Sequence, residues 1–207
     1  WRWEKSLLDC LREASPRILC AVSGGCDSVL LSRLLLAARD RGLCSLALAH
    51  IHHGLRPEAD EEEEHVRTLA SRWGLELHVA RLDVPGAAAR TTLSPEQIAR
   101  RLRYRALAHL AVRAHAPTLA VGHHQDDQAE TVLLRILRGT GPRGLGAMAP
   151  AERAAPDIDP NGEITIIRPH LSFRREELRQ TAVLAGLRWM EDASNALKAP
   201  LRNRIRH

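Results

Sequence analysis

Ser23-Gly24-Gly25-Cys26-Asp27-Ser28 is the segment whose residue types and order could do chemistry. Two adjacent glycines carry no Cβ, so the backbone there can turn sharply and come close to a ligand. The apolar run 17–22 leads into them, and Val29-Leu30-Leu31-Ser32-Arg33-Leu34-Leu35-Leu36 leads out. Strand, glycine turn, helix is the order that aims backbone N–H groups and a helix dipole at an anion. The chemistry is phosphate binding. No Gly-Lys-Ser/Thr follows, so this is not a Walker A loop with its lysine. Gly-Gly alone would equally make an ordinary strand-to-helix turn, and it is Ser23, Asp27 and Ser28 around it that favour the phosphate reading.

A second group begins at Gly122-His123-His124-Gln125-Asp126-Asp127-Gln128-Ala129-Glu130-Thr131. Asp126 and Asp127 fall in the first turn of a predicted helix, where the dipole favours negative charge, so they could simply cap it. Asp127 and Glu130 are three residues apart and share a helix face. Beside a nucleotide, such a pair invites Mg²⁺, which takes one or two carboxylates and completes its shell with phosphate oxygens and water.

His50-Ile51-His52-His53-Gly54-Leu55-Arg56 follows another predicted strand, and its backbone, more than its rings, is placed to meet a nucleotide. Glu96, Arg100, Arg103 and Tyr104 form one helical stripe. They are either a salt-bridged surface or a guanidinium and a ring offered to a base and its phosphate. The acidic run 58–64 reads as a solvated helix face.

The elements that must position these groups are legible in outline. Strands are predicted at 17–22, 45–50, 76–82, 118–121 and 164–167, with helical patterns near 4–14, 27–40, 58–73, 95–114, 126–138 and 173–186. This alternation predicts an α/β fold of three layers, a mostly parallel sheet with helices on both faces. Ligands of such sheets sit at the carboxyl ends of the strands. Residues 23–28, 50–56, 122–130 and the stretch after Leu82 should therefore converge on one crevice. Ser94-Pro95 is a helix start, an N-cap followed by proline. Segments 84–93 and 149–162, rich in proline and small or polar residues, read as loose connections.

Composition narrows the class. The chain has 207 residues, enough to bury a substantial core, and with one Phe and one Tyr that core must be built from Leu, Ala, Val and Ile. No stretch approaches the roughly eighteen apolar residues of a membrane span, and no signal peptide is visible, so a cytoplasmic protein is expected. Cys10, Cys20, Cys26 and Cys44 show no Cys-x-x-Cys spacing and read mainly as buried thiols. Eleven histidines carry no metal-binding spacing. The net charge of +5 resides entirely in residues 168–207, where eight arginines and Lys198 face four acids. A neutral body with a basic end suggests a polyanionic partner.

In chain order stand Ser-Gly-Gly-x-Asp-Ser, His-x-His-His-Gly-Leu-Arg, Ala-Arg-x-x-Arg-Tyr, Gly-His-His-x-Asp-Asp-Gln-x-Glu-Thr, Arg-Gly-x-Gly-x-x-Gly-Leu and Asp-x-Ser-Asn…Arg-Asn-x-Ile-Arg. The first resembles the loop of PP-loop ATP pyrophosphatases. From about residue 17 to 207 the set resembles the N-terminal catalytic domain of the bacterial tRNA(Ile)-lysidine synthetases. That resemblance implies a Rossmann-like PP-loop fold in one catalytic domain over 1–207. Residues 168–207 would be a basic segment contacting tRNA. The further C-terminal tRNA-binding domains of full-length relatives are expected to be absent from this chain.

The resemblance also implies site roles. Ser23, Gly24, Gly25, Cys26, Asp27 and Ser28, with His50, would bind ATP. Asp27, Asp127 and Glu130 would serve Mg²⁺ and the reaction. Arg103 would help place the target cytidine, and Arg138, Arg202, Asn203 and Arg206 would contact tRNA or the adenylated intermediate, with Arg206 counted among the catalytic groups. Gly139, Gly141 and Gly144 suit a loop closing over substrate, though packing turns explain them equally well.

The implied activity adenylates the C2 carbonyl oxygen of the wobble cytidine in tRNA(Ile) with a CAU anticodon. Attack by L-lysine then yields lysidine, AMP and pyrophosphate. Alternatives within the superfamily are a tRNA 2-thiolation enzyme and an ammonia-using synthetase. Outside it stands a non-enzymatic nucleotide-binding module of the universal stress type. No membrane partner is expected, and a homodimer stays open.

Overall fold

The computed structural model describes residues 2–54, 58–89, 94–137, 139 and 146–191. Its strands are β1 (Arg17–Ala21), β2 (Ser45–His52), β3 (Leu77–Arg81), β4 (Thr118–Ala120), β5 (Ala151–Arg153) and β6 (Thr165–Ile167). Its helices are α1 (Arg2–Leu11), α2 (Cys26–Asp40), α3 (Glu58–Trp73), α4 (Val84–Ala88), α5 (Pro95–Arg113), α6 (Gln125–Leu137) and α7 (Arg175–Leu184).

The strands form one sheet in the order β3-β2-β1-β4-β6-β5, parallel except for β5, which runs antiparallel to β6. The chain moves outward from β1 to β2 and β3, then crosses to β4 on the other side of β1. Strand order reverses there, so the carboxyl ends of β1 and β4 flank a crevice.

Successive β1 side chains enter opposite layers, as the pleat requires. Ile18 and Cys20 join a buried cluster with Leu7 of α1, Leu35 of α2 and Val66 of α3. Leu19 joins a second cluster with Leu107 and Ala111 of α5. The sheet is thus covered on both faces by aliphatic residues. α2 is itself enclosed, because Leu30 packs outward against Leu178 and Ala182 of α7. Burying each such leucine contributes about 1.5–3 kcal/mol relative to leaving it in water.

Three expectations are corrected. Segment 149–162 is not wholly a loose connection, since 151–153 adds the edge strand β5. Three residues of which two are exposed give no alternation to read. Segment 84–93 contains the single turn α4, closed by the Asp83 carboxylate accepting the Gly86 N–H at 2.9 Å. The acidic run of α3 is not uniformly solvated: Glu63 is buried and binds Arg67 at 2.6 Å and Arg81 of β3 at 3.0 Å. α5 begins where expected. Ser94 Oγ accepts the Gln97 N–H, and Gln97 Oε1 accepts the Ser94 N–H.

Candidate active site

The glycine loop is organised by a hydroxyl. Ser28 Oγ donates to the Gly25 carbonyl at 2.9 Å and accepts the Ser23 N–H at 3.1 Å, folding the loop over the first turn of α2. Gly24 takes φ +90°, which a side chain rarely tolerates. Gly25 caps α2 with no side-chain hydrogen bond of its own, and the Ser23 hydroxyl accepts the Gly25 N–H at 3.5 Å. Two further bonds hold the loop from outside. The Met190 N–H donates to the Gly24 carbonyl at 3.0 Å. The His50 ring donates through Nδ1 to the Val22 carbonyl at 2.9 Å, and burial lowers the pKa of that histidine.

β4 ends against this loop. A Cβ on Gly122 would lie 3.3 Å from the Asp27 carbonyl carbon and the Ser28 nitrogen, so only glycine permits this approach without a shift. His124 follows, buried between carboxylates. Its Nε2 is 3.6 Å from Asp27 Oδ2, and its Nδ1 is 3.5 Å from both Asp126 Oδ2 and Asp127 Oδ2. Burial opposes the imidazolium, yet the three carboxylates outweigh it and raise the His124 pKa. In turn burial opposes the Asp27 carboxylate, and His124 leads the interactions that hold its pKa below the ordinary value.

A cavity of about 270 Å³ opens at this point. Its lining includes Ser23, Asp27 and Ser28 of the loop and Arg103 and Tyr104 of α5. Ala49 and Ile51 of β2 form an apolar floor. The guanidinium groups of Arg100 and Arg103 lie 5.1 Å and 5.5 Å from the Tyr104 ring centroid. A PP-loop domain profile matches residues 2–207.

The chain belongs to the PP-loop family. Family membership implies ATP as the nucleotide it takes. A tRNA(Ile)-lysidine synthase of Azoarcus sp. (strain BH72) is 42% identical over 196 residues, covering 93% of this chain and 40% of that one. The enzyme of the same name from Thermosipho africanus (strain TCF52B) is 39% identical over 197 residues, covering 95% and 44%. This chain therefore spans less than half the length of those curated relatives. Among solved structures, the U34-tRNA thiolase NcsA from Methanococcus maripaludis superposes with a TM-score of 0.75 at 17% identity, over 99% of this chain and 69% of that one. An NH3-dependent NAD synthetase from Campylobacter jejuni gives 0.59 at 14%, covering 95% and 73%. Both share the PP-loop fold.

The cavity gathers some of the expected PP-loop residues and not others. Ser23, Gly25, Cys26, Asp27, Ser28 and Arg103 line it. Gly24 shapes the turn without lining it, and His50 lies on the other face of β2, between the lining residues Ala49 and Ile51. Asp127 and Glu130, both on α6, are not among the lining residues. No described residue of the stretch directly after Leu82 lines it either. Arg56, Arg138, Arg202, Asn203 and Arg206 lie outside the described residues.

The cavity is also lined by His123, to which the Gly122–Thr131 motif gave no role, and by Arg175, Arg179, Met190 and Glu191, which no motif contained. The signal that could have found two of them is the spacing of Arg175 and Arg179, one helical turn apart in the basic segment. Arg179 is paired with Glu191 at 2.8 Å.

Among the described residues no three His, Cys, Asp or Glu side chains converge as a preformed metal cluster. Asp27 nevertheless suits a cation that arrives with phosphate. Its Oδ1 is buried with no hydrogen-bond partner, and Mg²⁺ takes one or two protein carboxylates alongside phosphate oxygens. No helix among the described residues is long and apolar enough to cross a membrane.

Proposed function

We propose that this chain carries out the ATP-dependent conversion of the wobble cytidine of tRNA(Ile), anticodon CAU, to lysidine, a ligase reaction that forms a carbon–nitrogen bond. The observation that carries the reading is one cavity lined by both the glycine loop and Arg103 and Tyr104. The two relatives near 40% identity support the same chemistry.

Cytidine C2 is a poor electrophile, so its oxygen must first become a leaving group. That oxygen attacks the α-phosphate, giving an adenylated base and releasing pyrophosphate. The lysine amine then displaces AMP at C2. Backbone N–H groups at the α2 N-terminus meet the charge that builds on the departing pyrophosphate. Arg175 adds positive charge to the same cavity, whereas the charge of Arg179 is balanced by Glu191. Arg103 and Tyr104 present a guanidinium and a ring to the base.

Mg²⁺, when bound, would be held by Asp27 with Asp127 or Glu130 as a second carboxylate, and it would neutralise phosphate charge. Asp127 or Glu130 orients or deprotonates the lysine ammonium. Residues 168–207, with Arg202, Asn203 and Arg206, together with Arg138, reach the tRNA backbone or the adenylate. The setting is the cytoplasm.

A thiolation route draws little support from the cysteines. Only Cys26 lines the cavity, and burial pushes its thiol up to about 11, leaving it protonated at neutral pH. The test is release of AMP and pyrophosphate from ATP with Mg²⁺ and CAU-anticodon tRNA, with and without labelled lysine. Release that requires the tRNA, with label ending in it, supports lysidine formation. Turnover indifferent to lysine refutes it in favour of another PP-loop modification.

A further inference from the structure

Met190 and Glu191 line the cavity although they follow the last helix, α7. Their segment touches the glycine loop through its backbone, where the Met190 N–H donates to the Gly24 carbonyl at 3.0 Å. Gly24 is the loop residue that takes φ +90°, and the bond fixes the direction of its carbonyl.

Met190 is held from both sides. Before it, the Leu187 N–H donates to the Ala182 carbonyl at 3.1 Å, and the Leu187 and Trp189 side chains pack on the cluster of Leu30, Leu178 and Ala182. After it, Glu191 Oε1 accepts the Trp189 indole N–H at 3.0 Å and an Arg179 N–H at 2.8 Å. The Arg179 guanidinium also lies 5.5 Å from the Trp189 ring centroid, within reach of its face. Trp189 first, and then Arg179, holds the Glu191 carboxyl below its ordinary pKa.

By charge alone Glu191 is misplaced. A carboxylate in the lining of a cavity that takes phosphate repels the ligand and neutralises Arg179. Little stability offsets this, since the Arg179 and Glu191 side chains are 46% and 65% exposed and such pairs contribute about 0–1 kcal/mol. What the carboxylate supplies is geometry. As the common acceptor of an indole and a guanidinium, it closes the segment around the Met190 backbone.

We infer that Glu191 and Arg179 are positioning residues for the glycine loop, whose shared hold on Trp189 keeps the Met190 N–H on the Gly24 carbonyl and so supports nucleotide binding. The nucleotide half of this statement rests on the PP-loop reading of the cavity; the placement of Met190 does not.

Two variants at one position separate geometry from charge. Glu191→Gln and Glu191→Ala both remove the charge, and only the glutamine keeps an acceptor oxygen. Hydrogen exchange of the Met190 amide is read by NMR on the nucleotide-free chain, and ATP affinity with Mg²⁺ by calorimetry. Exchange at Met190 should stay slow in Glu191→Gln and quicken in Glu191→Ala. Glu191→Ala should bind ATP about three- to tenfold more weakly than Glu191→Gln, the worth of one hydrogen bond. Trp189→Phe changes no charge and keeps a ring beside Arg179, and it should quicken the exchange and weaken ATP binding relative to wild type.

Equal ATP affinity in the two Glu191 variants would mean that the residue acts by charge alone, and overturns the inference. Wild-type exchange at Met190 in both Glu191→Ala and Trp189→Phe overturns it as well. Absence of ATP binding by the wild type would refute the PP-loop reading, while the exchange rates would still decide whether Glu191 and Trp189 place Met190.

Discussion

His124 Nε2 stands 3.6 Å from Asp27 Oδ2, tying the helix that follows β1 to the turn that follows β4. The two strand ends that flank the crevice are thus joined by one buried ion pair, with Asp126 and Asp127 on the far side of the ring.

That arrangement sets a pH dependence of stability in the nucleotide- and metal-free protein. The Asp27 pKa lies below 3.8, so its contribution is present above that pH and is lost as pH falls through the lowered value. The His124 pKa lies above 6.5, so its contribution is complete below that pH and is lost as pH rises through the raised value. Urea midpoints should fall as pH rises through the raised His124 value. They should fall also as pH drops below 6.5, where His50, His65 and His170 are held neutral by burial in the fold and are protonated in the unfolded chain. His124→Gln should flatten the alkaline limb, and an unchanged limb would assign it to another group.

Gly122→Ala tests the close approach of β4 to α2. The added methyl meets backbone at 3.3 Å, and overpacking of this kind costs about 1–3 kcal/mol. Thermal melting should show the loss, and ATP affinity should fall with it because the first turn of α2 must move. A variant with wild-type melting and wild-type affinity would mean that the turn relaxes freely.

Asp27→Asn removes the carboxylate whose Oδ1 lacks a partner. Calorimetry should give ATP binding weakened by about 10–100-fold in the presence of Mg²⁺ and far less with a chelator, since a charged contact is worth about 1.5–3 kcal/mol. Equal loss in both conditions would assign Asp27 to loop structure instead of the cation.

Arg103→Ala separates nucleotide from base recognition. Arg103 lines the same cavity as the loop, with its guanidinium 5.5 Å from the Tyr104 ring centroid. ATP affinity should change by less than about threefold while tRNA-dependent AMP release falls by more than about tenfold, as loss of a stacked cation would produce. Equal losses in the two assays would count against a role in placing the base.

Leu19→Ala probes the layer between the sheet and α5. Leu19 is fully buried, and truncation of such a leucine costs about 2–5 kcal/mol. Urea unfolding should show it, with the PP-loop still able to bind ATP well below the midpoint.

By itself the sequence determined the loop and the frame around it. Ser23-Gly24-Gly25 needs a positive φ and a helix start immediately behind it, a local demand that chain order alone expresses. The same holds for Ser94 and Gln97, which cap α5 within four residues. The aliphatic runs of β1, β2 and β4 announced buried parallel strands because both faces of each are covered.

Tertiary structure decided the rest. β5 exists only because β6 offers it an edge, and Glu152 matters only because Arg168, sixteen residues on, turns back toward it. Arg168 and His123 are 45 residues apart, and their contact follows from β4 and β6 being neighbours in the sheet. Arg175, Arg179 and Glu191 reach the cavity because α7 packs on α2 through Leu30, Leu178 and Ala182. Local patterns encode backbone conformation, whereas a cavity wall is assembled by strand order and helix packing, which bring distant residues to the same few ångströms.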